Sequence, residues 1–423
     1  MSTFLKSCSK FEQMLFLYIS LFGLHGILVL PLIGDKAQLS DLLFPLMAVY
    51  FYKENKNRLR EIIIPNGPLI AFVILLDLGL ITALIHYNLN TLVESFARYY
   101  LFLLGAMVFA HFYWKTYTFR FKFFSSAFIL AASSGAIIGL FGYLLLVLGY
   151  QTPLVSYYGD FPLLGDIYRL RAFFATPNML ILLCGIAILF LLNMKGFRFK
   201  KILLLIFGLT LLLSFSKGVL VLLAPLVIHL LKISRDKILL KTVLWLSCII
   251  PFFFLTHLQI RTEESNIQTE YSNQEALFEV QDYLLIKTTY LYLKEQSIVA
   301  FKENPLLGKG IGNFNAFIDK QKAKGNYPNH FYSFDPHSSW LGTLAEQGIL
   351  AFMALSYLVL YLIRQRKKLI RQSSLNKVLL SFMLITLIES ISMDMLNFRF
   401  LYILLGLFIL QIESYRKKET SVH

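Results

Sequence analysis

Apolar runs separated by short polar segments fill most of the chain, and a helix needs about 17–25 such residues to cross a bilayer. The pattern predicts helices at 13–33, 39–53, 67–86, 92–113, 124–149, 178–194, 200–215, 218–232, 238–258, 340–363, 376–394 and 398–412. The run 39–53 is short for a span and needs flanking side chains that reach back to the interface. The apolar stretch 200–232 is too long for one span, and Ser214–Phe215–Ser216–Lys217–Gly218 divides it into two. Lys6 and Lys10 precede the first run, and no small-residue cleavage site follows it. Its apolar length of about 20 residues exceeds the roughly 7–15 of a signal peptide, so it reads as an uncleaved span. The expected fold class is all-α, a polytopic integral membrane protein of about twelve transmembrane helices. Residues 1–258 hold helices 1–9 in this reading, and 259–338 form one large loop with helical content. Residues 339–423 hold helices 10–12 and a basic tail.

Charge fixes the orientation. Of the 40 Lys and Arg residues, 26 fall in segments that alternating parity assigns to the cytoplasm and only five in the short outside loops. Both termini are then cytoplasmic, by the positive-inside rule, and the loop 259–338 faces outward, which in a Gram-negative cell is the periplasm. Composition agrees. Apolar residues make up 57% of the chain and charged residues 15%, against about 45–50% and 25% in soluble domains. A soluble enzyme, a nucleic-acid-binding module and a disordered scaffold are excluded on that ground. The net charge of +15 follows from the cytoplasmic loops and implies no nucleic acid. Three scattered cysteines form neither a disulfide framework nor a zinc-ligand spacing.

The outward segments carry the candidate chemistry. Residues 276–304 place Leu277, Val280, Leu284, Leu285, Leu291 and Ile298 at roughly helical spacing. Asn304–Pro305 ends that segment. Gly308, Gly310 and Gly312 follow, and they read either as a phosphate cradle or as a helix stop and turn. Asp335–Pro336–His337 opens the tenth span, with Asp335 suited to an N-cap and Pro336 to the first helical position. His337 is then expected in the first turn, where the positive helix end disfavours imidazolium and lowers its pKa. A neutral imidazole is what a general base requires, although an interfacial histidine also serves as a plain anchor. Gly348, eleven residues on, falls about 20° away around an ideal helix, on the same face.

Arg169, Arg171, Lys217, Arg261 and Lys287 are also outward. Each alone reads as a membrane-edge anchor; together they suit an anionic group such as a pyrophosphate. Within the spans, Glu94 and Arg98 are i,i+4 partners, and Asp77 is expected to pair with Arg98. No HExxH, DxD, P-loop or G-x-S-x-G motif occurs, so no metal and no cofactor is expected.

The runs FKENPLLGKGIGNF (301–314) and DPHSSWLGTLAEQGILAF (335–352) resemble the signature of the O-antigen ligase and O-antigen polymerase superfamily. RAFFATPN (171–178) and SKG (216–218) are similar to its looser motifs. The resemblance is closest to the lipopolysaccharide O-antigen ligase. It implies an inverting, metal-independent glycosyltransferase of the bacterial inner membrane, with its active site facing the periplasm. The donor implied is an undecaprenyl-diphosphate-linked glycan and the acceptor lipid A–core. The family histidine maps onto His337, as base toward the acceptor hydroxyl. Family basic residues map onto Arg171, Lys217 and Arg261, as holders of the diphosphate. Lys217 stands where the family usually has Arg, and Tyr290 where it often has another, with Lys287 close by. An O-antigen polymerase or a protein O-oligosaccharyltransferase shares these features. A transporter or flippase for lipid-linked sugars is the alternative of a different class, and it would line a central path with ionisable residues.

Overall fold

A computed structural model describes residues 2–27, 38–57, 66–86, 89–161, 165–231, 233, 237–262, 277–281, 283–331, 335–369 and 373–420. The described chain is mostly helical. In order, α1 is Ser2–Lys6, α2 Lys10–Ser20, α3 Phe44–Asn55, α4 Asn66–His86, α5 Leu89–Phe112 and α6 Tyr117–Val147. Then come β1 Val155–Phe161, β2 Gly165–Leu170, α7 Pro177–Asn193, α8 Lys200–Leu213, α9 Gly218–Leu230 and α10 Ile238–His257. The strands β3 Leu258–Thr262, β4 Phe278–Val280 and β5 Tyr283–Lys287 precede α11 Thr289–Glu303 and α12 Phe314–Ala323. The chain ends with α13 Ser339–Leu369, α14 Ser374–Glu389 and α15 Arg399–Thr420.

Among the described residues, four helices are long and apolar enough to cross a membrane: Thr91–Phe112, Tyr117–Val147, Leu239–His257 and Ser339–Arg366. Ile70–Ile85, Pro177–Asn193 and Gly218–Leu230 are shorter apolar helices. This build fits an all-α membrane protein; among the described residues the strands form two small antiparallel sheets outside the apolar helices. The apolar stretch 200–232 is two helices, α8 and α9, with Phe215 at φ +42° in the turn between them.

The chain divides into two units. The first comprises 1–62, 107–248 and 371–382. Its core is α6, whose small residues Ala131, Ala132, Gly135, Ala136, Gly139 and Gly142 let neighbours approach closely. A side chain on Gly139 would collide with Leu170, and one on Gly142 with Leu154. These two leucines are buried and seat the β1–β2 hairpin on α6. In the same unit the buried carboxylate of Glu12 accepts from His111 Nε2 at 3.1 Å and lies 3.2 Å from Lys115 Nζ. Asn55 Nδ2 donates to His111 Nδ1 at 3.0 Å, so three helices share one polar knot.

The second unit comprises 63–106, 249–370 and 383–423. Here α4 packs on α13, and α11 and α12 close a core of Leu293, Phe314, Phe317, Ile318, Tyr327 and Phe331. The helix expected over 276–304 exists only from Thr289 onward. The residues before it form β4 and β5, with Leu284 and Ile286 buried at alternate positions. That two-residue period, with Phe278, Val280 and Tyr283, favours a strand over a helix. Gln281, at φ +53°, lies between the two strands.

Candidate active site

In the first unit the hairpin and the α8–α9 turn bring two of the expected cations together. Arg169 is on β2, opposite Ser156. Its Nε donates to the Ser214 carbonyl at 3.1 Å, and its guanidinium lies 4.4 Å from the Tyr158 ring centre. That bond ties the hairpin to the end of α8. Lys217 stands one residue before α9. Burial, and then the charge of Arg169, pushes its ammonium down to about 8. Two cations near enough to repel form a place where an anion is favoured. Ser216 Oγ donates to Asn178 Oδ1 and shapes the same turn. Arg171 is placed differently: its Nε donates to the Pro153 carbonyl at 3.0 Å, at the base of the hairpin.

In the second unit Arg261 occupies β3, in register with Leu284 of β5. Lys287 ends β5, and its Nζ is 2.7 Å from Glu295 Oε1, so a carboxylate compensates its charge. Lys294, one turn past Tyr290 on α11, escaped the sequence reading. It is buried, donates to His257 Nε2, and burial holds its ammonium down at about 8. The signal was available: a Lys inside an otherwise apolar helix face is rarely buried without a role.

His337 departs from expectation in an informative way. The helix α13 starts at Ser339, and its N-cap is Ser338, whose Oγ accepts from Leu341 N at 3.2 Å. Asp335 is therefore not the helix cap, and His337 lies just outside the helix rather than in its first turn. Asp335 instead folds onto the histidine. Its Oδ1 accepts the His337 backbone N–H at 2.9 Å and sits 2.6 Å from His337 Nδ1. A short Asx turn of this kind competes with helix capping because it closes locally. It holds His337 at φ +45°, a strained value for a residue with a β-carbon. The Tyr290 ring lies 4.8 Å from the imidazole. The side chain of His337 is 23% exposed, so it is oriented and still reachable.

The glycine run resolves as a turn. Lys309 N donates to the Ala345 carbonyl at 2.9 Å, Gly310 N to Glu346 O at 2.8 Å, and Gly312 N to Glu346 Oε1 at 3.1 Å. These N–H groups are taken up by α13 and do not point at a phosphate. They meet α13 where it breaks at Gly348, φ +75°. A β-carbon there would collide with the Leu306 carbonyl. The break also ends the ideal-helix argument that put Gly348 on the face of His337. Within this unit, Arg98 pairs with Asp394 at 3.5 Å, while Asp77 accepts from the Tyr99 hydroxyl, replacing the expected Asp77–Arg98 pair.

No curated protein matches the chain. Residues 202–356 match the family model described as O-antigen ligase. That segment contains Lys217, Arg261, Lys287, His337 and Gly348, while Arg169 and Arg171 precede it. With the apolar helices, the match supports a membrane protein of O-antigen ligase or polymerase type; members of that family are glycosyltransferase-like enzymes. The match supports the O-antigen ligase and O-antigen polymerase superfamily as the family of this chain.

Proposed function

We propose that the protein is an O-antigen ligase. In this reading it transfers a glycan from undecaprenyl diphosphate to lipid A–core, with inversion and without a metal, at the periplasmic side of the inner membrane. The observation that carries the reading is the Asp335–His337 pair at 2.6 Å. A carboxylate on Nδ1 holds that proton in place and leaves the basic lone pair on Nε2. Nε2 then takes the proton of the acceptor hydroxyl as its oxygen attacks the anomeric carbon and the diphosphate departs. Charge grows on the leaving diphosphate, and fixed cations stabilise it without reorganisation. Arg169, Arg171, Lys217 and Arg261 are the proposed cations, Lys287 being compensated by Glu295 at 2.7 Å. The adjacent like charges of Arg169 and Lys217 are the feature that supports this role.

The test uses purified protein in lipid, an undecaprenyl-diphosphate-linked glycan and lipid A–core, with no nucleotide. Transfer to lipid A–core supports the ligase. Chain extension of the donor glycan, with no transfer to core, overturns it in favour of a polymerase. Deleting the gene separates the two in cells: a bare core indicates a ligase, and a core bearing one repeat unit indicates a polymerase.

A further inference from the structure

The three-stranded sheet has two unlike faces. Pairing sets Ile260, Leu285 and Phe278 side by side, and Thr262, Tyr283 and Val280 beyond them. Leu284 and Ile286 point the other way and are buried against the protein. On the first face Ile260 is 51% exposed, Phe278 64%, Val280 51% and Tyr283 46%. An apolar face of aromatic and aliphatic side chains is unusual in water and marks a contact surface.

The sheet's attachment identifies the contact. β3 follows α10 with no linker, His257 being the last helical residue and Leu258 the first of the strand. The far end of β5 is fastened to the same helix end. Thr288 N donates to the His257 carbonyl at 2.9 Å, and Thr288 Oγ1 to the Thr256 carbonyl at 2.7 Å. The sheet therefore stays at the point where the span ends. α10 itself is apolar and long enough to span a bilayer, with only 11% of its apolar window buried, and Ile250, Phe254 and Leu255 are exposed near its end. The end of α10 and the first face of the sheet held to it are thus both apolar and exposed.

We propose that this face lies on the bilayer, in the interfacial layer of the leaflet where α10 ends. Tyr favours that layer, and the apolar face of an amphipathic element buries at its acyl boundary. An upright sheet would lift Val280 and Tyr283 about 10–15 Å from the helix end, at roughly 3.3 Å per residue, and leave them in water. A sheet lying flat brings all four apolar side chains to one depth. The proposal does not rest on the transferase reading.

The experiment places a fluorescent thiol label at Phe278→Cys, Glu279→Cys and Val280→Cys, one at a time, in full-length protein carrying Cys248→Ser. Cys8 and Cys184 are buried and do not compete. In vesicles with nitroxide-labelled lipids, labels at 278 and 280 are expected to be quenched by a shallow acyl-chain nitroxide. The label at 279, on the opposite face, is expected to be quenched by aqueous iodide instead. Iodide quenching of all three without lipid quenching overturns the proposal. So does protection of 278 and 280 from both quenchers, which would mean that protein, such as a second copy, covers the face.

Discussion

Cations of the two units are arranged in opposite ways. In the first unit burial, and then the charge of Arg169, disfavours the Lys217 ammonium. In the second, Lys287 faces Glu295 at 2.7 Å and Lys309 faces Glu303 at 2.5 Å. A cation beside a carboxylate holds a fold together, whereas neighbouring cations gain most when an anion arrives between them. A basic residue in a segment that charge parity expects to face outward is therefore not enough to assign a diphosphate ligand. What the neighbour is decides between anchor and binder.

Substitutions sharpen the contrast. The largest effect is expected at His337, the one candidate assigned to proton transfer. His337→Ala should lower the transfer rate by about 10²–10⁴-fold, with donor binding kept. His337→Gln should be no better, since a glutamine cannot take a proton at neutral pH. Near-normal turnover by His337→Ala in the purified assay would reduce it to an anchor. Next comes Gly348→Ala. The left-handed backbone and the Leu306 carbonyl together should cost about 1–3 kcal/mol or more, read as a lower melting temperature in detergent. An unchanged melting temperature would show that α13 does not need its break.

Lys217 gives a pH signature. With its ammonium pushed down to about 8, the charge is present below that pH and lost above it. Donor affinity should fall by up to about tenfold per pH unit above 8, each pH unit being worth about 1.4 kcal/mol of charge-state preference. Lys217→Arg should remove that decline, because a guanidinium stays charged. A wild-type affinity that is flat from pH 7 to 9.5 would exclude Lys217 from the anion site. The smallest effect is expected at Lys287. Its pair with Glu295 is part-exposed, so Lys287→Ala should cost at most about 1 kcal/mol of stability and leave donor affinity within about twofold. A large loss of affinity would make Lys287 a binder and erase the contrast.

Local sequence signals placed the α8–α9 break and the apolar helices. Those features depend on hydropathy and charge over short windows, which no distant contact rewrites. His337 was legible as a residue of interest, but its partner was misjudged. Asp-Pro before a helix fits both an N-cap and an Asx turn, and only the position of Ser338 over Leu341 N decides between them.

The glycine run had the same ambiguity. Gly308, Gly310 and Gly312 suit any tight backbone; Gly308 N–H closes a local turn on the Asn304 carbonyl, while those of Gly310 and Gly312 are taken up by the carbonyl and the carboxylate of Glu346 on α13, more than thirty residues away. The helical spacing read into 276–288 failed because short apolar runs fit both periods, and pairing with β3 supplied the missing preference for a strand. The sequence by itself carried the apolar helices and the resemblance to the O-antigen ligase and polymerase superfamily, because bilayer length and the histidine block are written residue by residue. The tertiary structure decided which charge meets which: Lys217 with Arg169, Lys287 with Glu295, Arg98 with Asp394. The strength of a charge depends on burial and on neighbours from remote segments, and neither is encoded in a local pattern.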